Sequence, residues 1–104
     1  MIDYGKIYDN ASEFFDLDGN CIMYLTKLAA IDVCESAAKK ELCIYMIEGG
    51  YWKEPGFQSN LGAIWSCEEQ VIDIEDTNQK AIIFINNINE SEGVDTFILT
   101  FVEE

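Results

Sequence analysis

The pattern of apolar residues changes at Lys40, and this change constrains the fold more than any other feature of the chain. Before it, residues 20–40 place Leu25, Leu28 and Ala29 on one face at helical spacing. After it come short apolar runs rich in β-forming residues, separated by turn signals. A helix with a wide apolar face, followed by such runs, predicts a helix lying against a sheet.

A second, shorter helix is predicted nearer the N-terminus. Asn10 and Glu13 have the spacing of a capping box. In this motif the Asn10 side chain accepts a hydrogen bond from a first-turn amide, and the Glu13 side chain reaches back to the amide of Asn10. The helix would include Phe14 and Leu17 and end at the turn formed by residues 18–20.

The second half of the chain predicts an antiparallel meander. Turns are expected at residues 49–56, 75–78 and 86–93, because these segments concentrate glycine, proline and polar residues. The strands between them are predicted at residues 41–47, 63–74, 81–85 and 96–102. The predicted fold class is α+β, with two N-terminal helices followed by an antiparallel sheet of four to five strands.

The chain is expected to form a single domain over residues 1–104. Its length suits one domain, and 49% hydrophobic residues suffice for one core. No repeat, low-complexity tract or linker interrupts it. The N-terminal residues lack the basic start and apolar stretch of a signal peptide, and no apolar run reaches the ~18 residues of a membrane span. We therefore expect a cytoplasmic protein.

The cysteines do not form a metal-binding pattern. Cys21, Cys34, Cys43 and Cys67 have no pair at two-residue spacing, and the chain has no histidine to complete a mixed zinc site. They are expected to be reduced, buried thiols. Residues 16–20 resemble the middle of a calcium loop. When Gly19 is aligned with the invariant glycine of such a loop, however, the apolar residues Phe14 and Leu25 fall at two ligand positions. No metal or cofactor is predicted.

The net charge constrains the partners of the protein. Twenty acidic residues against six lysines give a formal charge of −14. This charge repels nucleic acid and anionic membranes, whereas a basic protein surface would be attracted quickly. The competing interpretation is that the charge serves only solubility.

Catalysis is not predicted. The absence of histidine removes the commonest general base and excludes Ser-His-Asp and Cys-His arrangements. Carboxylate pairs remain, but in so acidic a chain they are more often solvated surface than a catalytic pair.

The stretch from residue 48 to residue 76 alternates aromatic and acidic residues. Aromatic anchors inside an acidic rim suit an interface for a basic protein. Trp65 is expected in the core, whereas Tyr51 and Trp52 lie in a predicted loop. The predicted partner-binding residues are Glu48, Tyr51, Trp52, Glu54, Glu68, Glu69, Asp73, Glu75 and Asp76. A weaker second candidate surface comprises Tyr4, Tyr8, Phe14 and Phe15 beside Asp3, Asp9, Asp16 and Asp18.

In size, in its charge of −14 and in the stretch from Tyr51-Trp52-Lys53-Glu54 to Cys67-Glu68-Glu69, the chain resembles a known class. These are the small acidic immunity proteins that neutralise bacterial nuclease toxins, including those of colicin and contact-dependent inhibition systems. The resemblance implies a cytosolic, non-enzymatic inhibitor. It would bind a basic toxin domain tightly and cover either its active site or its nucleic-acid-binding surface.

Three alternatives remain open on the sequence. The first is a nucleic-acid mimic such as a phage anti-restriction or anti-CRISPR protein, whose carboxylates imitate phosphates. The second is an α+β domain that binds a small molecule or catalyses a reaction, which requires a pocket with converging polar groups. The third is a homodimeric structural subunit that pairs through strand 81–85 or through the last strand.

Overall fold

The computed structural model describes residues 2–3, 5–53, 56–67, 73–88 and 93–103. In chain order its elements are α1 (Ala11–Asp16), α2 (Lys27–Lys39), β1 (Leu42–Lys53), β2 (Gly56–Ser66), α3 (Ile74–Asn87) and β3 (Thr96–Glu103). The predicted α+β class is confirmed. One helix, α3, follows the first two strands instead of preceding the sheet.

The sheet is antiparallel with strand order β2-β1-β3. A short fourth segment runs along the other edge of β3. There, the backbones of Leu25 and Phe97 exchange two hydrogen bonds of 2.8 Å, and the amide of Cys21 donates to the carbonyl of Leu99. This pairing covers most of the outer edge of β3.

The two N-terminal helices differ in how well they were predicted. The Asn10 cap of α1 is confirmed, since its Oδ1 accepts from the amide of Ser12 at 2.7 Å. Helix α2 starts seven residues later than predicted. The hydroxyl of Thr26 caps it by accepting from the amide of Ala29 at 3.3 Å. Before Thr26, residues 20–22 form a turn and the next residues are extended, since Leu25 pairs with Phe97 of β3. This pairing outweighs the helical periodicity of the segment.

The turn predicted at 75–78 and the strand predicted at 81–85 are wrong, because both lie in α3. The carboxylate of Asp73 caps this helix by accepting from the amide of Asp76 at 3.1 Å. Two acidic residues in the first turn stabilise the helix by interacting with the positive, N-terminal end of its dipole. Ala81 and Ile85 are buried, whereas Ile83 is 49% exposed, which is a helical pattern. Dimer formation through a strand at 81–85 is therefore excluded.

The predicted strand at 63–74 ends at Ser66. Residues 68–72 lie outside the described residues, and Asp73 and Ile74 belong to the cap and first turn of α3. The strands predicted at 41–47 and 96–102 are confirmed within β1 and β3.

The hydrophobic core lies between one face of the sheet and helices α2 and α3. Phe14 of α1 closes the core at one end, where its ring meets Phe101 of β3 edge-on at 5.9 Å. The fully buried side chains of this core on the sheet and helices include Val33, Ile44, Ile47, Ile85, Phe97 and Leu99.

Asn78 joins three elements inside this core. Its Oδ1 accepts from the amide of Ile44 at 2.8 Å, and its Nδ2 donates to the carbonyls of Cys34 at 3.2 Å and Leu42 at 3.0 Å. The side chain is 1% exposed, so these bonds replace hydration. Asn78 therefore fixes α3 against both β1 and α2.

The loop predicted at residues 49–56 is wrong for residues 49–53, because these residues, including Gly49 and Gly50, belong to β1. Residues 54–55 lie outside the described part. A Cβ on Gly50 would lie 2.2 Å from the carbonyl oxygen of Gln58 and 2.8 Å from the ring of Phe57. Glycine is required here because another strand approaches closely, not because the chain turns. The register of β1 and β2 shifts beside it, between Glu48 and Gly50.

Candidate protein-binding face

Helices α2 and α3 pack on one face of the sheet, and the opposite face presents a mixed apolar and polar surface. Because neighbouring residues of a strand point to opposite faces, Glu48 points away from the core that Ile47 enters. Glu48 pairs laterally with Ile64 of β2 and Ile98 of β3. We define the open face by Met46, Glu48, Ile64, Ile98 and Thr100.

Three aromatic side chains form a wall at one end of the open face. Tyr24 stacks on Phe57 with ring centroids 5.4 Å apart, and its centroid lies 5.5 Å from that of Trp52. Leu25, beside Tyr24, is in the core, so Tyr24 lies on the open-face side. We call Tyr24, Trp52 and Phe57 the aromatic wall.

Asp95 fixes the position of the aromatic wall. Its amide donates to the carbonyl of Gly50 at 3.0 Å. Its carboxylate accepts from the amide of Trp52 at 3.0 Å and from the hydroxyl of Thr96 at 2.8 Å. The hairpin end that carries the wall is therefore tied to the start of β3.

Glu48 differs from Asp95 in its surroundings. It is half-buried between two isoleucines, and its carboxylate makes no hydrogen bond or ion pair with any residue that the structure describes. A carboxylate held among apolar neighbours loses hydration when anything covers it, unless the covering surface brings a donor. The open face is therefore a surface on which a positively charged group is favoured.

The structure divides the predicted partner-binding residues into separate groups. Glu48 and Trp52 lie on the open-face side. Tyr51 lies beside them in β1, where its hydroxyl accepts from Nδ2 of Asn60 at 2.9 Å. Glu54, Glu68 and Glu69 lie outside the described residues. The other three predicted residues, Asp73, Glu75 and Asp76, lie at the start of α3 in the helical layer.

Two of the three acids at the start of α3 have local roles. Asp73 is the helix cap, and Asp76 forms an ion pair with Lys80 at 3.4 Å, both side chains being well exposed. An exposed pair of this kind contributes little to stability. It is the sole ion pair among residues 2–3, 5–53, 56–67, 73–88 and 93–103. Most carboxylates of that part of the chain are therefore available to solvent or to a partner.

Six members of the open face and aromatic wall are not among the residues predicted from the sequence: Tyr24, Met46, Phe57, Ile64, Ile98 and Thr100. The alternation in residues 96–102 was a usable signal for Ile98, since every second residue of a half-buried strand faces outward. The sequence predicts a helix over residues 20–40, which includes Tyr24, and no sequence signal brings Tyr24 to Trp52.

The second candidate surface near the N-terminus is not supported. Tyr8 and Phe14 are buried, and Phe15 packs against the core. Tyr4 lies outside the described residues. Trp65 packs against the core as predicted.

The cysteines differ in burial. Cys34 and Cys43 are buried as predicted, whereas Cys67 is half-buried and Cys21 is exposed, with a backbone φ of 63°. Burial raises the pKa of the Cys34 thiol to about 12, and the nearby carboxylate of Glu35 adds to the rise. No group of three or more candidate metal ligands occurs in the described ranges. Within them, too, no helix is long and apolar enough to cross a membrane.

We expect iodoacetamide at pH 8 to modify Cys21 within minutes and to leave Cys34 unmodified while the protein is folded. The thiolate is the reactive form, and Cys34 is both protonated at this pH and shielded from the reagent. Peptide mass mapping after a timed reaction measures both sites. In urea, Cys34 should react as readily as Cys21. Equal modification of both in the folded protein would contradict the burial of Cys34.

Comparison with known proteins gives the class and then the family. Immunity protein CdiI of Burkholderia pseudomallei is 38% identical over 98% of this chain and 94% of its own length. The colicin-E5 immunity protein of Escherichia coli is 42% identical, and the colicin-E5 immunity protein in ColE9 is 41% identical, each over 75% of this chain and 96% of its own length. The class is that of toxin immunity proteins, as the sequence predicted. The family model of the colicin-E5 Imm protein matches residues 23–102, and the chain belongs to this family.

Proposed function

We propose that this chain neutralises a bacterial toxin by binding its basic nuclease domain directly. The supporting observation is a formal charge of −14 on a member of the colicin-E5 immunity family, with most described carboxylates outside any ion pair. Such a surface complements a domain that carries positive charge in order to bind RNA or DNA.

The chain itself is proposed to act as an inhibitor and not as an enzyme. It contains no histidine, and its carboxylates are expected to bind rather than to transfer protons. Binding needs no cofactor, no nucleic acid and no membrane. The proposed compartment is the cytoplasm, where a nuclease that enters a bacterial cell meets its substrates.

Association with the toxin domain should depend strongly on salt. Long-range attraction accelerates encounter, and added salt shortens the screening length from about 10 Å at 0.1 M to about 3 Å at 1 M. We expect the association rate constant to fall by about tenfold or more between 0.05 M and 0.5 M NaCl. The dissociation rate should change by no more than about threefold, since contact interactions govern it. Stopped-flow fluorescence measures both. A salt-independent association rate would contradict a steering role for the charge.

Growth protection tests the proposal. The cognate toxin domain, defined as the toxic domain encoded beside this chain's gene, is induced in cells with or without this chain. We expect growth to be restored by this chain and not by an immunity protein of another family expressed at the same level. Arrest of growth despite abundant, folded chain would contradict the proposed function.

A further inference from the structure

We propose that the open face and its aromatic wall form the surface that docks on the toxin domain, with the carboxylate of Glu48 pairing with a lysine or arginine of the toxin. This inference rests on the proposed function and adds to it the surface and the central contact. Neither the charge nor the family membership determines which side of the molecule binds.

The shape and composition of the open face match the centre of an interface. Its floor is mostly apolar and half-buried, and the wall adds three aromatic rings at one end. Aromatic anchors held rigidly by their own scaffold dominate binding energies because they lose little conformational freedom. Trp52 is held in this way, since its amide is bonded to Asp95 and its ring contacts Tyr24.

Glu48 determines the chemistry of the occupant. In the sheet Glu48 lies between Ile64 and Ile98, and its carboxylate is not bonded to any described residue. A purely apolar partner would cover this charge without compensation, which costs several times the thermal energy. A partner with a lysine or arginine at this point forms a charge-assisted hydrogen bond in a partly desolvated site.

Charge complementarity selects the toxin domain over other occupants. A second copy of this chain would bring another charge of −14 and a second glutamate to the same point. The helical layer is a poorer docking surface, because two of the three acids at the start of α3 are engaged as a cap and in a surface ion pair. On the open face, apolar surface lies beside a half-buried carboxylate that has no partner among the described residues.

The first test compares two substitutions that remove the same charge. Glu48→Gln keeps the shape of the side chain, and Glu35→Gln changes an exposed glutamate on α2 in the opposite layer. Dissociation constants for the cognate toxin domain are measured by calorimetry at 0.15 M NaCl. We expect Glu48→Gln to weaken binding at least about thirtyfold, mainly through faster dissociation, and Glu35→Gln by no more than about threefold.

The second test uses apolar contacts. Trp52→Ala should weaken binding by about thirtyfold or more, whereas Leu28→Ala, at a 75% exposed position on α2, should leave it within twofold. Circular dichroism at increasing temperature establishes that every variant is folded. Glu48→Gln tests the inference independently of Trp52, because it leaves the wall intact.

The outcomes separate the two levels of the proposal. If the wild-type chain fails to bind the toxin domain, the proposed function falls and this inference falls with it. If the wild type binds and both Glu48→Gln and Trp52→Ala bind equally well, the toxin docks elsewhere and only the inference is overturned. Selective loss in these two variants supports it.

Discussion

Asn78→Ala is expected to lower the free energy of unfolding by about 3–5 kcal/mol. The substitution leaves the amide of Ile44 without its acceptor and removes a donor from the carbonyls of Cys34 and Leu42, and a buried polar group left unsatisfied costs about 1–3 kcal/mol. The helix propensity of alanine exceeds that of asparagine and offsets a small part of this loss. Small domains have only about 5–15 kcal/mol of stability, so the variant should be close to unfolding.

Urea denaturation at 25 °C measures the effect of Asn78→Ala. Gln79→Ala is the matched control, because Gln79 is the next residue of the same helix and is exposed. Its stability should stay within about 0.5 kcal/mol of wild type. A loss below about 1 kcal/mol for Asn78→Ala would show that the hydrogen bonds of Asn78 are not what joins α3 to the sheet.

Gly50→Ala is expected to cost about 3 kcal/mol of stability and to weaken toxin binding as well. The new Cβ would lie 2.2 Å from the backbone oxygen of Gln58, and a backbone atom can move away only if β2 shifts. Because the ring of Phe57 lies 2.8 Å from the same Cβ, the aromatic wall must shift too. One methyl group should therefore affect both folding and binding.

Gly56→Ala is the control for Gly50→Ala. Its Cβ would meet its nearest neighbour, the carbonyl oxygen of Lys53, at 3.7 Å, which is ordinary contact. Thermal unfolding and toxin affinity should both stay near the wild-type values. If Gly50→Ala were as stable as Gly56→Ala and bound the toxin domain normally, the close approach of β2 to Gly50 would be refuted.

The fold was predictable from sequence wherever local signals agreed with tertiary packing. The Asn10 cap and the strands beginning near residues 42 and 96 combine local propensity with the matching burial period. Residues 81–85 were misassigned because an apolar run of five is compatible with a buried strand or a buried helix. The signal that identifies the helix lies further upstream. Asp73 is a residue type that favours the N-cap, and the acidic residues Glu75 and Asp76 suit the first turn of a helix.

The candidate site was less predictable, because it depends on long-range pairing. Glu48 and Trp52 were selected from composition, and their common face follows from the alternation of β1. Tyr24 joins them only because the segment before α2 pairs with β3, which no local pattern indicates. The acids of α3 were grouped with them by sequence proximity alone, and the strand-to-helix change after residue 66 places them in another layer.

Titration of the nuclease activity of the cognate toxin domain tests the central claim most directly. The purified domain is incubated with increasing amounts of this chain, and cleavage of total cellular RNA and DNA is followed at 0.15 M NaCl. Neutralisation by direct binding predicts that activity falls linearly and reaches zero at one chain per toxin domain. Undiminished cleavage at a tenfold excess of folded chain would contradict the claim that this protein neutralises its toxin by binding the nuclease domain.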